Sequence, residues 1–229
     1  MEHWIYTTSM FGKTVSFNMD TLITMWLSMG LLIVLAFFTT RKLNIIPGKL
    51  QLLGEGIIKY FNDIANSSMG NENAQKHIAI ILTLFLFILT ANLVGQLPFK
   101  LIHLTTGEFA SPNNDINMTA AMAIVVSIYY IFYGVKKSGL KFFFKGFSIE
   151  GIIITLVDTL ELFVRPFSLA LRLFANIFAG EILVATILGL VTVVLPLPFM
   201  LFEVFVALIQ ALVFTLLSMT YISMAIQEE

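Results

Sequence analysis

Three stretches of this sequence run for about twenty residues without one charged side chain: Thr21 to Thr40, Ile78 to Phe99 and Ile116 to Val135. A helix rises about 1.5 Å per residue, so each matches the roughly 30 Å hydrocarbon core of a bilayer. Asn18, within Asn-Met-Asp-Thr, stands where an N-cap of the first span belongs. Composition agrees. Of the 229 residues 58% are hydrophobic and 12% charged, with 22 Phe and 11 Met, where a soluble domain has about 25% charged. Mean hydropathy is +0.92. Soluble, disordered and nucleic-acid-binding classes are excluded, since the net charge is −1 and no basic block suits a phosphate backbone. There is no cysteine, hence no disulfide, thiol catalysis or Cys-based metal site. The start carries Glu2 and His3 rather than a basic region, and no small-residue cleavage site follows the first span, so that span is expected to stay in the membrane.

The C-terminal third is apolar but not charge-free. Gly151 to Leu195 holds Asp158, Glu161, Arg165, Arg172 and Glu181; Pro196 and Pro198 break the chain; Phe199 to Ile226 then holds Glu203 and Gln210. As helices these segments reach about 65 and 40 Å, longer than the hydrocarbon core, and so tilt, bend or run along the interface. The expected fold is an all-α integral membrane protein of one membrane domain. It has five crossings, at about 20–40, 77–98, 116–136, 151–195 and 197–226, the last two a hairpin of long tilted helices.

Basic residues orient the chain. Arg41, Lys42, Lys49, Lys59 and Lys76 separate the first two spans, and Lys136, Lys137, Lys141 and Lys145 follow the third; the other side has only Lys13 and Lys100. The N-terminus is expected outside and the C-terminus in the cytoplasm. Between spans one and two, Leu50, Leu53, Ile57, Phe61 and Ile64 recur every three or four residues, an interfacial amphipathic helix over about 49–66. The Lys141 to Phe147 run is placed at headgroup level, and Phe99 to Asn117 is a polar outer loop. His3, His77 and His103 are expected at interfaces.

Charge at the centre of a span costs about 2.5–3.5 kcal/mol or more. Five ionisable groups in one segment therefore need partners, water or a task. At 100° per residue Glu161, Arg165, Arg172 and Asn176 share a face, with Asp158 close by, while Glu181 lies on the other side about 13 Å beyond Arg172. Glu203 and Gln210 share a face of the next helix. The pattern suits a divided aqueous path, with Glu181 and Glu203 in one cavity, Asp158 and Glu161 in another, and Arg172 between them. Arginine keeps its proton and so attracts a carboxylate without relaying a proton itself. Plainer readings exist for some of these residues. Glu161 and Arg165 are spaced for a simple ion pair, Asp158 for a solvated acid, and Asn176 and Gln210 for interhelical hydrogen bonds. Arg172 resists a plain reading, because the run from Pro166 to Ala179 contains no acid.

The run Ser168-Leu-Ala-Leu-Arg-Leu-Phe-Ala-Asn-Ile-Phe-Ala-Gly-Glu-Ile-Leu183 resembles the signature of subunit a of F-type ATP synthases, bacterial type. Pro47-Gly-Lys, Asn92 to Pro98, Ser111 to Thr119 and the tail from Gln210 extend the likeness over nearly the whole chain, in order. The resemblance implies an ion-translocating stator subunit in a bacterial inner membrane. Its partners would be a ring of c subunits, the b-subunit peripheral stalk and, indirectly, the soluble F1 sector. Arg172 would match the essential arginine facing the ring, with Asn176 polarising the same contact. Glu181, Glu203 and Gln210 would line an outer half-channel, Asp158 and Glu161 an inner one. Some bacterial members carry His where this chain has Glu203, which leaves H+ and Na+ both open as the coupling ion. No Walker-type loop or nucleotide site occurs, and no cofactor or metal is implied. A self-contained secondary transporter is the alternative; it predicts inverted repeats, and none is seen.

Overall fold

The computed structural model describes residues 5–10, 13–41, 43–96, 111–142, 149–190 and 196–227. Two antiparallel strands, β1 (Ile5–Met10) and β2 (Lys13–Asn18), lead into α1 (Met19–Thr40). Then come α2 (Lys49–Met69), α3 (Asn71–Gln96), α4 (Ile116–Ser138), α5 (Ile149–Leu190) and α6 (Pro196–Gln227). All but α2 are long and apolar enough to cross a membrane, and the fold is that of an all-α membrane protein with five crossings. At 42 and 32 residues, α5 and α6 are about 63 and 48 Å long. The chain alternates direction, so one end of the bundle gathers β2, the start of α4 and the end of α5. The opposite end gathers the basic residues Arg41, Lys49, Lys136 and Lys137.

The core lies where α3, α4, α5 and α6 meet, filled by Ile81, Ile88, Val126, Leu173, Phe214, Met219 and Ile222. Around it α1 exposes Trp26, Ile33, Phe37 and Phe38, as a lipid-facing helix must. The apolar stripe of α2 divides. Phe61 packs against Phe85 of α3, ring centroids 4.7 Å apart, whereas Leu50 and Leu53 are exposed. Between α2 and α3 the chain turns at Gly70 alone, whose φ of +77° is a conformation that favours glycine; its N–H closes α2 on Asn66 O at 3.1 Å.

The basic end is clasped by side chains. Ser223 Oγ and Gln227 Nε2 of α6 donate to Ser68 O of α2, at 2.7 and 2.5 Å, and Lys137 Nζ of α4 donates to Ile226 O. These bonds satisfy carbonyls that helix ends leave without intrahelical partners. His77, near the start of α3, packs inside the bundle. It is 2% exposed, with Nδ1 2.8 Å from Tyr129 Oη. An imidazole this deep needs a partner for its nitrogen, and α4 supplies one.

At the other end, part of the expected outer loop is ordered into a tight polar corner. Residues 97–110, with His103, lie outside the described residues, as do His3 and residues 143–147 of the Lys141 to Phe147 run. Ser111 and the 3-10 turn Pro112–Asn114 pack into the bundle, Ser111 Oγ donating to Ala91 O at 3.2 Å. Asp115 then opens α4, accepting from Asn117 N at 2.9 Å. Its other oxygen accepts from Asn18 Nδ2 at 2.7 Å. Asn18 thus holds the N-cap position of α1 without capping it, its side chain being spent on Asp115.

This corner needs Gly95. A Cβ there would collide with Ser111, whose Cα would stand only 2.5 Å away. Gly95→Ala should lower stability by about 1–3 kcal/mol, the usual cost of overpacking. Gly56→Ala, where a Cβ meets nothing within 4 Å, should not. Thermal denaturation of the two purified variants in detergent checks this.

Candidate functional site

α5 carries most of the polar groups and is helical throughout Ile149–Leu190, with Pro166 inside it. Pro166 has no N–H to give Leu162 O, yet the side of α5 that faces the bundle continues past it at spacings of three and four residues. Before Pro166 Thr155, Asp158, Glu161, Leu162 and Arg165 are half-buried. After it Leu169, Ala170, Leu173, Ile177, Glu181 and Val184 are buried. Along the polar stripe expected from 100° spacing the exposure changes. Glu161 and Arg165 turn toward the bundle, while Arg172 and Asn176 are exposed.

Arg172 lies near the middle of α5, on the side away from the core. Ala175, Asn176 and Ala179 are exposed beside it. Among the described residues it has no hydrogen-bond or ion-pair partner, while Arg165 is bonded to Glu161. Asn176 joins the two long helices, Nδ2 donating to Gln210 Oε1 at 2.6 Å. Gln210 is 2% exposed, and its Nε2 finds no acceptor among the described residues. About two turns back along α6, Glu203 lies against the backbone of α5 at Gly180. A Cβ on Gly180 would stand 2.6 Å from Glu203 Oε1, so the missing side chain lets this carboxyl reach α5.

Glu181 is held on another side of α5, at 5% exposure. Its Oε1 accepts from Ser111 N at 3.0 Å and its Oε2 from Asn114 Nδ2 at 2.6 Å. Two N–H donors to a carboxylate are what burial of an anion requires. Behind them Asn113 Nδ2 donates to Asn92 Oδ1 at 2.7 Å, and Asn92 Nδ2 to Ala207 O at 3.3 Å. The corner thus links α3, α5 and α6 through buried amides. Beside it opens a polar cavity of about 290 Å³ lined by Asn18, Asp20, Thr21, Ser111, Asn114, Asp115 and Phe174, among others. Asp20 is 8% exposed. Asn114 both lines this cavity and holds Glu181.

Asp158, Glu161 and Arg165 form a second group toward the basic end, about 30 Å along α5 from Glu181. Arg165 pairs with Glu161 and lies over the Tyr221 ring of α6 at 5.2 Å. The structure therefore brings Asn176 to Gln210, Glu203 to Gly180 and Arg165 to Glu161. It gives Glu181 donors from Ser111 and Asn114. The residues of this corner have no functional signal of their own in the sequence. Ser111, Asn114 and Asp115 stood only within a family motif, and Asn18 was an N-cap. Their local signal was one for a turn, a dense run of Ser, Pro, Asn and Asp immediately before an apolar span.

Asn114→Ala removes a side-chain donor to Glu181. A hydrogen bond to a charged group contributes about 1.5–3 kcal/mol. The variant should lose stability in that range, against an unchanged Thr186→Ala on the exposed side of α5; thermal unfolding of both reads the difference.

Two comparisons with known proteins give this geometry a family. The family described as "ATP synthase A chain" matches residues 22–223. ATP synthase subunit a of Gloeobacter violaceus is 41% identical over 214 residues, spanning 93% of this chain and 86% of that protein. With most of its length matched on both counts, the chain belongs to the ATP synthase subunit a family and is a multi-pass membrane subunit of the ion-translocating stator, working in complex with other ATP synthase subunits.

Proposed function

We propose that this chain passes ions to and from a ring of c subunits through two offset half-channels that Arg172 keeps apart. The observation that carries the reading is the exposure of Arg172, mid-helix and without a partner among the described residues. A guanidinium left in lipid costs about 2.5–3.5 kcal/mol or more. An anionic group on a neighbouring subunit removes that cost. The ring's ion-binding carboxylate, drawn into its charged form at Arg172, is that group. Ala175 and Ala179 leave the ring room to approach, and Asn176, anchored by Gln210, presents its amide beside the contact.

Positive-inside counting places the basic end in the cytoplasm and the N-terminus outside. The amphipathic α2 lies along the inner interface and, with α1, offers a surface to the b-subunit stalk. The outer half-channel then opens at the cavity between Asn18, Asp20 and Asp115. It continues by Asn114 to Glu181 and reaches the ring near Glu203, Gln210 and Asn176. The inner half-channel runs by Asp158 and Glu161. Arg172 stands between the two, and its unsheddable proton bars direct passage. An ion entering on one side must ride the ring to leave on the other. Each charge crossing 100 mV yields about 2.3 kcal/mol, so several such steps drive one ATP in the soluble sector.

Arg172→Lys tests this reading. Lys keeps the charge but lacks the planar fork and sheds its proton on burial. ATP-driven pumping in membrane vesicles should fall to background while the complex assembles; near-native pumping would contradict the role. Glu203→Gln should slow transport and change its dependence on pH or sodium with assembly intact. Unchanged transport across all conditions would remove Glu203 from the path.

A further inference from the structure

Two arginines lie seven residues apart on α5, about 10 Å along its axis, and their surroundings differ. Arg172 is exposed. Arg165 is 18% exposed in its side chain, pairs with Glu161 and stacks on Tyr221. The Tyr221 ring lies 6.1 Å from that of Tyr130 on α4, itself 1% exposed. Arg165 also lines, with Asp158, Phe142, Leu162 and Ala225, a cavity of about 20 Å³, room for about one water. An ordinary ion pair four residues apart on a helix surface is solvated and contributes little. This pair is not ordinary. Its cation is mostly buried, held by a carboxylate in its own helix and an aromatic face in the next.

We infer that Arg165 is a positioning residue of the inner half-channel. It fixes the Glu161 carboxylate at the α5–α6 seam, beside the water-sized cavity that Asp158 lines. Because Glu161 neutralises it, Arg165 does not compete with Arg172 for the carboxylate of the ring. Tyr221 of α6 covers the guanidinium from the neighbouring helix. This inference rests on the half-channel reading above.

The test uses the whole ATP synthase in membrane vesicles. It measures ATP-driven ion uptake, passive flux after removal of the soluble sector, and assembly by co-purification. Arg165→Gln should slow both fluxes about five-fold or more, as loss of a coupled contact pair does, and Arg165→Lys should give an intermediate rate. In a Glu161→Gln background, Arg165→Gln should bring no further loss, since the arginine acts through that carboxylate. A further loss as large as in the native background would overturn the positioning role. So would native flux in assembled Arg165→Gln. If Arg165→Gln does not assemble, Tyr221→Leu takes its place, with slowed flux expected and native flux overturning the proposal. Arg172→Ala measured alongside separates the two levels. Pumping by that variant would sink the half-channel reading itself, while its loss together with native flux in Arg165→Gln would remove only Arg165.

Discussion

A guanidinium keeps its proton in any cellular medium, and lipid does not solvate it. The position of Arg172 is therefore the constraint around which the bundle is arranged. The side of α5 that carries it is exposed. The opposite side, through Leu169, Leu173, Ile177 and Val184, must fill the core. Small side chains at Ala175 and Ala179 keep the outward face thin. The long α6 backs this helix and grips it through Gln210 and Glu203. A chain built only to anchor itself in lipid would carry no such charge.

The second expensive group is Glu181, buried where α5 nears its end. Its solvation is replaced by N–H donors from a corner that is itself held by amides and hydroxyls. Ser111 and Asn114 bond the carboxylate, Asn113 bonds Asn92, and Asp115 bonds Asn18. Gly95 and Gly180 matter for a related reason: each lets a polar group approach a helix backbone that a Cβ would fend off. A network this connected is costly to leave half satisfied. The same residues thus fix where α1, α3, α4 and α5 meet and line the polar cavity at that end.

Hydropathy alone makes the five crossings legible: three are charge-free runs of bilayer length, and the last two stay strongly apolar despite their charges. The 3.6-residue period makes α2 legible as an amphipathic helix, though not the division of its stripe, because only packing decides that Phe61 is covered and Leu50 is bare. Arg172 was the most readable site residue, an arginine with no acid near it in sequence. The corner was less so. Hydrogen bonds such as Glu181 to Ser111 join residues 70 apart, and no local pattern encodes them. The strands β1 and β2 were not expected, although Thr, Val, Ile and Tyr flank Gly12 in the manner of a hairpin. His77 shows the same limit from the other side. A histidine near a span end gives no sign in the sequence of the Tyr129 that meets it.

The most direct measurement is ion uptake by membrane vesicles during ATP hydrolysis, recorded for H+ and Na+ together, with the native complex and with Arg172→Ala. A stator arginine predicts that the variant assembles with its ring and takes up neither ion above background, while native vesicles take up one of them and so identify the coupling ion. Native-level uptake by assembled Arg172→Ala would contradict the role at the centre of this mechanism.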